Sequence, residues 1–293
     1  MATTITEAFA QFKQNLEITD LQASVVSTRQ ERVREVVNAG LNTLDSFLTG
    51  SYARNTLISP LKEADIDIFV ILESKYYYEY NNQNGGQAGL LDRLKRVLLQ
   101  TYTRTPDISR NGQAVTIRFD DFMLDVVPAF NRKGGGFLIP NSITQSWLST
   151  DPKNHVTIFA DANRAHNGDF VPLIKMIKAW NRKLNRYFPS FHLEVLALAA
   201  LNNVTISDFP SGVRYYFDKS RALVAGQNLD PAGYGGDVGN YLNTKQKIDD
   251  AVAKFQTAYE RSLKAEDFAR RGYVRDSIEV WKQIFGDHFP SYG

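Results

Sequence analysis

Residues 50–72 read GSYARNTLISPLKEADIDIFVIL, and this stretch decides the fold. Ile66, Ile68, Val70 and Leu72 alternate with Asp65, Asp67, Phe69 and Ile71, the period of a β-strand with one wholly apolar face. Asp65 and Asp67 are two residues apart in that strand, so both carboxylates leave one face while Ile66 and Ile68 point into a core. Carboxylates held side by side repel one another unless a cation lies between them. A hard, oxygen-seeking ion such as Mg²⁺ meets that requirement and keeps waters and phosphate oxygens in its shell. The plain alternative is the solvated face of an edge strand.

Working outward, Gln113–Phe119 (QAVTIRF) and Phe122–Val127 (FMLDVV) flank Asp120-Asp121 and predict an antiparallel hairpin whose turn holds those two aspartates. Asp125 then supplies a third carboxylate in an apolar strand. If this strand pairs beside the first, the three carboxylates converge and can hold two metal ions about 3.5–4 Å apart, which activate an attacking oxygen and stabilise a leaving one. The alternative is an aspartate near a turn, since Pro128 follows. Upstream, Gly50 permits close approach of a phosphate to the backbone, and the Ser51 hydroxyl and following amides can donate to it. Arg54 lies one turn on, within reach of the same phosphates or simply a surface cation. No Lys-Ser/Thr follows at Walker A spacing.

The rest of the chain frames this segment. Residues 4–42 carry helical periodicity (Val25, Val26, Val33, Val36, Val37) and predict one or two N-terminal helices. Leu90–Leu99 is helical, preceded by a flexible Gly-Gln-Asn loop over Asn81–Gly89. Beyond about residue 155 helices dominate: Asp169–Asn185, His192–Leu201, Thr244–Arg270 and Tyr273–Phe285. The sequence thus predicts an α+β catalytic domain over residues 1–154 and a helical domain over 155–293, with a ligand cleft between them. KGGGF (133–137) and DPAGYGGDVGN (230–240) match no dinucleotide fingerprint and are read as loops bordering that cleft. Between Phe170 and Leu193 there are five basic residues and no acidic one. Of these, Lys175, Lys178, Arg182 and Arg186 fall on one side of a helix, a cationic stripe suited to a triphosphate or a solvated face. Met176 and Trp180 are core candidates.

Composition bounds the function. The 293 residues carry 34 basic and 32 acidic side chains, a formal charge of +2 that argues against a broad polyanion-binding face. With no cysteine, disulfides, thiolate zinc sites and thiol nucleophiles are excluded. His155, His166, His192 and His288 lack zinc-ligand spacing and are read as structural. No signal peptide or membrane-spanning run is evident, so a cytoplasmic protein is expected.

Gly-Ser, a short helix, Asp-x-Asp and a later single Asp resemble the polymerase-β-type nucleotidyltransferase superfamily. The strings GSYARNT, DIDIFVIL, LDVVPAF, LIKMIKAWN, PSFHLEVLALAAL and IEVWKQIFGDHFP narrow the resemblance to the CD-NTase family (cyclic GMP-AMP synthase/DncV-like enzymes) of bacterial CBASS antiviral systems, over nearly the whole chain. The resemblance implies a polymerase-β-like nucleotidyltransferase core, a mixed sheet with helices, followed by a C-terminal helical domain. It implies that Asp65, Asp67 and Asp125 hold two Mg²⁺ ions, with Mn²⁺ an acceptable substitute, and that Gly50 and Ser51 grip the donor triphosphate. Lys178 matches a helix lysine on donor phosphate. Ser190 and Phe191 match a pair that touches phosphate and stacks on a base, with phenylalanine where the family usually has tyrosine.

Asn163 and Asn167 precede the cationic helix and are candidates for reading an acceptor base, with turn roles the alternative. The expected activity is a metal-dependent synthase that builds a cyclic di- or trinucleotide second messenger from nucleoside triphosphates, ATP among them. The rivals are a transferase that adds nucleotides to RNA, a small molecule or a protein, and a catalytically dead nucleotide-binding scaffold. The missing cysteines exclude the zinc insertion that animal relatives use on DNA, so no DNA activator is expected. The remaining expectations are a bacterial monomer that does not bind membranes, with a downstream effector that binds the product rather than this chain.

Overall fold

The alternation at residues 65–72 forms a strand, β2 (Asp65–Leu72), in the computed structural model, which describes residues 1–103 and 107–293. One face of β2 sends Ile66, Ile68 and Val70 into a core with Val33 and Val37 of α2 (Asp20–Gly40), Leu90 and Leu94 of α5 (Gly86–Thr101), and Val126 of β5 (Met123–Asn131). The other face carries Phe69 and Ile71, which join Val127, Ala129, Phe137 and Ile139 in a second apolar cluster. Asp65 and Asp67 continue that second face where the apolar residues stop.

The sheet runs β1-β2-β5-β4-β3, with β1 (Thr43–Thr49), β3 (Ile108–Asn111) and β4 (Ala114–Arg118); β6 (Phe137–Asn141) pairs with β5 and with β7 (Ser146–Thr150). β2 and β5 are parallel and the other pairs antiparallel, the β4–β5 pair being the hairpin expected from the sequence. A parallel neighbour requires a crossover. Here α4 (Ser74–Asn81), α5, β3 and β4 supply it. The segment read as a loop over Asn81–Gly89 is therefore mostly helix, broken only at 82–85. KGGGF is the turn of the β5–β6 hairpin, with Gly134, Gly135 and Gly136 at φ 91°, 101° and 67°.

The division at 154/155 needs correcting. The two compact units are residues 18–157 and residues 1–17 together with 158–293. The first helix, α1 (Ile5–Asn15), groups with the helical unit because its apolar stripe belongs there. Phe9 lies edge-on to Trp281 at 5.1 Å, and Phe12 meets Phe285 at 4.6 Å. The helical unit is built on α7 (Phe170–Lys183), buried on every side through Asn181, with Trp180 packed on Phe188, Phe217 and Phe255. α8 (Ser190–Ala200), α9 (Phe209–Leu223), α10 (Lys245–Arg270) and α11 (Val274–Phe285) complete it, and α6 (Pro152–Ala165) carries the chain across the boundary. Among the described residues, no helix is long and apolar enough to cross a membrane.

Candidate active site

The parallel register sets Asp67 of β2 directly opposite Asp125 of β5, and Asp65 opposite Met123. Paired residues of a parallel ladder share a face, so all three carboxylates leave the same side of the sheet. Thr116 of β4 is paired with Asp125 from the other flank, and its hydroxyl donates to Asp125 Oδ1 at 2.5 Å. Burial pushes the Asp125 carboxyl above its usual range, against the hydrogen bond from Thr116 and the positive charge of Arg118, which lower it. A partly desolvated carboxylate beside a second one is relieved by a cation.

Gly50 opens a four-residue helix, α3 (Gly50–Ala53), straight after β1, and has φ 66°. A Cβ on Gly50 would lie 1.8 Å from Asp67 Oδ2, so glycine is required both for the backbone and for the carboxylate packed against it. The Ser51 carbonyl accepts from the amides of Thr56 (2.9 Å) and Leu57 (3.1 Å), which folds the segment after α3 back on itself. Arg54 caps the C-terminus of α3. The donor set is all oxygen, on one face, with one carboxylate cradled by glycine and another partly buried; it fits hard divalent cations. The strand pairing on which the expected convergence depends is present. Among the described residues, no three His, Asp or Glu side chains are gathered at metal-binding distance.

The helical unit holds the remaining candidates, and here the stripe reading changes. Lys175 and Lys178 are buried, at 3% and 6% exposure, and are ion-paired at 2.6 Å with Glu17 and Glu194 respectively. They form neither an open cationic stripe nor a solvated face, because α7 is the centre of its unit and its charges must be matched inside. Ser190 starts α8, exposed, and the ring of the half-buried Phe191 lies 6.4 Å from that of Phe159.

The family model of the Second Messenger Oligonucleotide or Dinucleotide Synthetase domain matches residues 3–163, more than half of the chain. The chain belongs to this synthetase family. Among curated proteins, the synthetase is 25% identical over 272 residues to a probable cyclic nucleotide synthase of Bacillus cereus, covering 83% of this chain and 81% of that one. It is 26% identical over 260 residues to the cyclic AMP-AMP-AMP synthase of an Acinetobacter species, covering 84% and 72%. Among solved structures it resembles Escherichia coli CdnC with ATP, at 19% identity and TM-score 0.74 over 98% of this chain and 99% of that one. Vibrio cholerae DncV, a cyclic AMP-GMP synthase, superposes with TM-score 0.77 at 12% identity over 99% and 98%. The nucleotidyltransferase fold is thereby established.

Asn163 and Asn167, the two candidates for reading a base, sit at the ends of α6 and α7 in the synthetase. The Asn163 side-chain oxygen accepts from the Val171 amide at 3.0 Å, in the first turn of α7. Asn167, exposed, takes φ 54° in the turn between α6 and α7. The sequence reading missed Thr116 and Glu194. Thr116 is one β-branched residue in a β-branched strand, and its partner is fixed only by register. Glu194 sits in the apolar run HLEVLALAAL, where a lone acid signals a buried partner.

Proposed function

We propose that this synthetase joins nucleoside triphosphates, ATP among them, and closes them into a cyclic di- or trinucleotide second messenger of an antiphage signalling system. Asp67 opposite Asp125, with Gly50 against Asp67, is the observation that carries this reading. In this proposal Asp65, Asp67 and Asp125 hold two Mg²⁺ ions, or Mn²⁺ in their place. When bound, these ions neutralise the triphosphate and the departing pyrophosphate. Asp125 orients or deprotonates a ribose hydroxyl, whose oxygen bonds to the α-phosphorus of the donor while the bond to the β-phosphate oxygen breaks. Thr116 fixes the rotamer of Asp125. Gly50 and Ser51 with Arg54, and Lys178 with Ser190, are assigned to triphosphate, and Phe191 to a base. Catalysis is then chiefly positioning and charge stabilisation. A second round of the same bond formation closes the ring.

The name of the Acinetobacter relative supports adenine nucleotides as substrates. The proposal takes the chain as a monomer of the bacterial cytoplasm, active without DNA or membrane, whose effector reads the product. The test is incubation of the purified protein with each labelled nucleoside triphosphate, singly and in pairs, with Mg²⁺ or Mn²⁺. A phosphatase-resistant cyclic product is expected by chromatography and mass spectrometry. Labelling of added RNA or of a small acceptor, with no cyclic product, would show a different transferase.

A further inference from the structure

A groove of about 510 Å³ in the helical unit runs between the end of α7, α10 and the end of α11. That size suits a small-molecule ligand. Lys183, Lys254 and Arg261 line it, against a single carboxylate, Asp250, whose Oδ1 is engaged by the Gln246 amide at 2.8 Å. Among the described residues none of the three cations has an ion-pair partner. Lys254 is already held in place, its ammonium 4.4 Å from the centre of the Tyr187 ring. The groove thus concentrates a surplus of two positive charges in a chain whose total is +2. Three like charges lining a concave surface repel each other, and an anion relieves that cost. Beside them Leu184, Tyr187 and Ala253 provide an apolar and aromatic wall.

The groove differs from the donor-phosphate residues assigned above. Neither Lys175 nor Lys178 lines it; at roughly 100° per residue, Lys183 and Trp180 lie about 140° and about 160° around α7 from Lys178. We propose that this groove is a second nucleotide site, with Lys183, Lys254 and Arg261 on the phosphates of a phosphorylated nucleoside and the Tyr187–Leu184 wall against its base. The nucleotide is either a free nucleoside triphosphate or a cyclic oligonucleotide, and both present the same chemistry to these side chains.

The experiment is equilibrium binding of radiolabelled ATP and, separately, of a cyclic triadenylate to the full chain carrying D65A and D67A, in EDTA. Saturable binding of at least one probe is expected, weakened at least tenfold by K254E and by R261E and unchanged by S190A. Tighter binding of ATP identifies the substrate pool as the source, and tighter binding of the cyclic probe identifies feedback by product. The proposal is overturned if neither probe saturates, if K254E and R261E bind like the parent, if S190A abolishes binding, or if tripolyphosphate competes as well as ATP. Should a charge reversal unfold the protein, K254Q with R261Q takes its place. No turnover is measured, so failure of the synthase reading leaves this result standing.

Discussion

The Asp67 carboxylate lies against the α-carbon of Gly50, so that a methyl group there would fall 1.8 Å from Oδ2. The glycine of the Gly-Ser pair therefore shapes the carboxylate site as well as the turn. Gly50→Ala forces either the turn or Asp67 to move. The backbone at φ 66° alone adds a cost of about 1–2 kcal/mol. Product formation by G50A should drop at least tenfold while circular dichroism still shows a folded chain. Near-parental activity would mean that the Asp67 position is not critical.

Asp67 and Asp125 also make a prediction about metal. Two carboxylates at paired positions on one face offer a divalent cation oxygen ligands from both strands. Mg²⁺ with a non-hydrolysable triphosphate should raise the thermal midpoint of the parent. Ligand at a hundredfold excess over Kd is worth about 2.7 kcal/mol. Asp67→Asn should abolish the Mg²⁺-dependent part of the shift. A midpoint for D67N that still rises with Mg²⁺ would place the ion elsewhere.

How far the sequence reveals this site follows from what local patterns encode. Period-two alternation around Asp65 and Asp67 is local, so strand, face and carboxylate pair are all legible. The partner register that brings Asp125 opposite Asp67 is non-local and enters only as a condition on pairing. β1, TLDSFLT, escapes notice because its pattern does not alternate cleanly; it is an edge strand with polar side chains on both sides. β6 is hidden by the glycines of the β5–β6 turn that precede it, and β7 is a short strand of mixed polar and apolar residues. The α7 stripe misleads for another reason. Helical spacing shows that Lys175 and Lys178 share a side, but not that Glu17 and Glu194 lie across from them, at 2.6 Å in each case. Likewise α1 is legible as a helix, whereas its grouping with Trp281 and Phe285 depends on residues more than two hundred positions away.

The Lys178–Glu194 pair separates a structural from a phosphate-binding lysine. Both side chains are buried, so removing one partner strands a charge, at a cost of about 3–5 kcal/mol. Lys178→Met and Glu194→Leu should each lower stability by that order in urea unfolding. The double variant K178M/E194L should recover most of the loss, since an apolar pair can replace a buried ion pair. If Lys178 contacts donor phosphate, the stable double variant still shows a raised KM for triphosphate. An unchanged KM would confine the lysine to a structural role.

His192 gives the helical unit a defined acid sensitivity. The ring is fully buried, its Nδ1 is 2.9 Å from the Tyr241 hydroxyl, and among the described residues its Nε2 has no hydrogen-bond partner. Burial pushes its pKa from 6.5 down to about 4, with the negative charge of Asp237 opposing the shift only in part. The unfolded chain therefore binds this proton at higher pH than the folded one. The histidine's contribution is complete above pH 6.5 and is lost progressively as pH falls toward 4. By pH 5 the loss attributable to this group is about 2 kcal/mol. Urea unfolding at pH 7.5 and pH 5 should show the parent losing about that much more stability than His192→Gln, whose amide cannot take up the proton. Equal losses in the two proteins would mean that other groups govern the acid response.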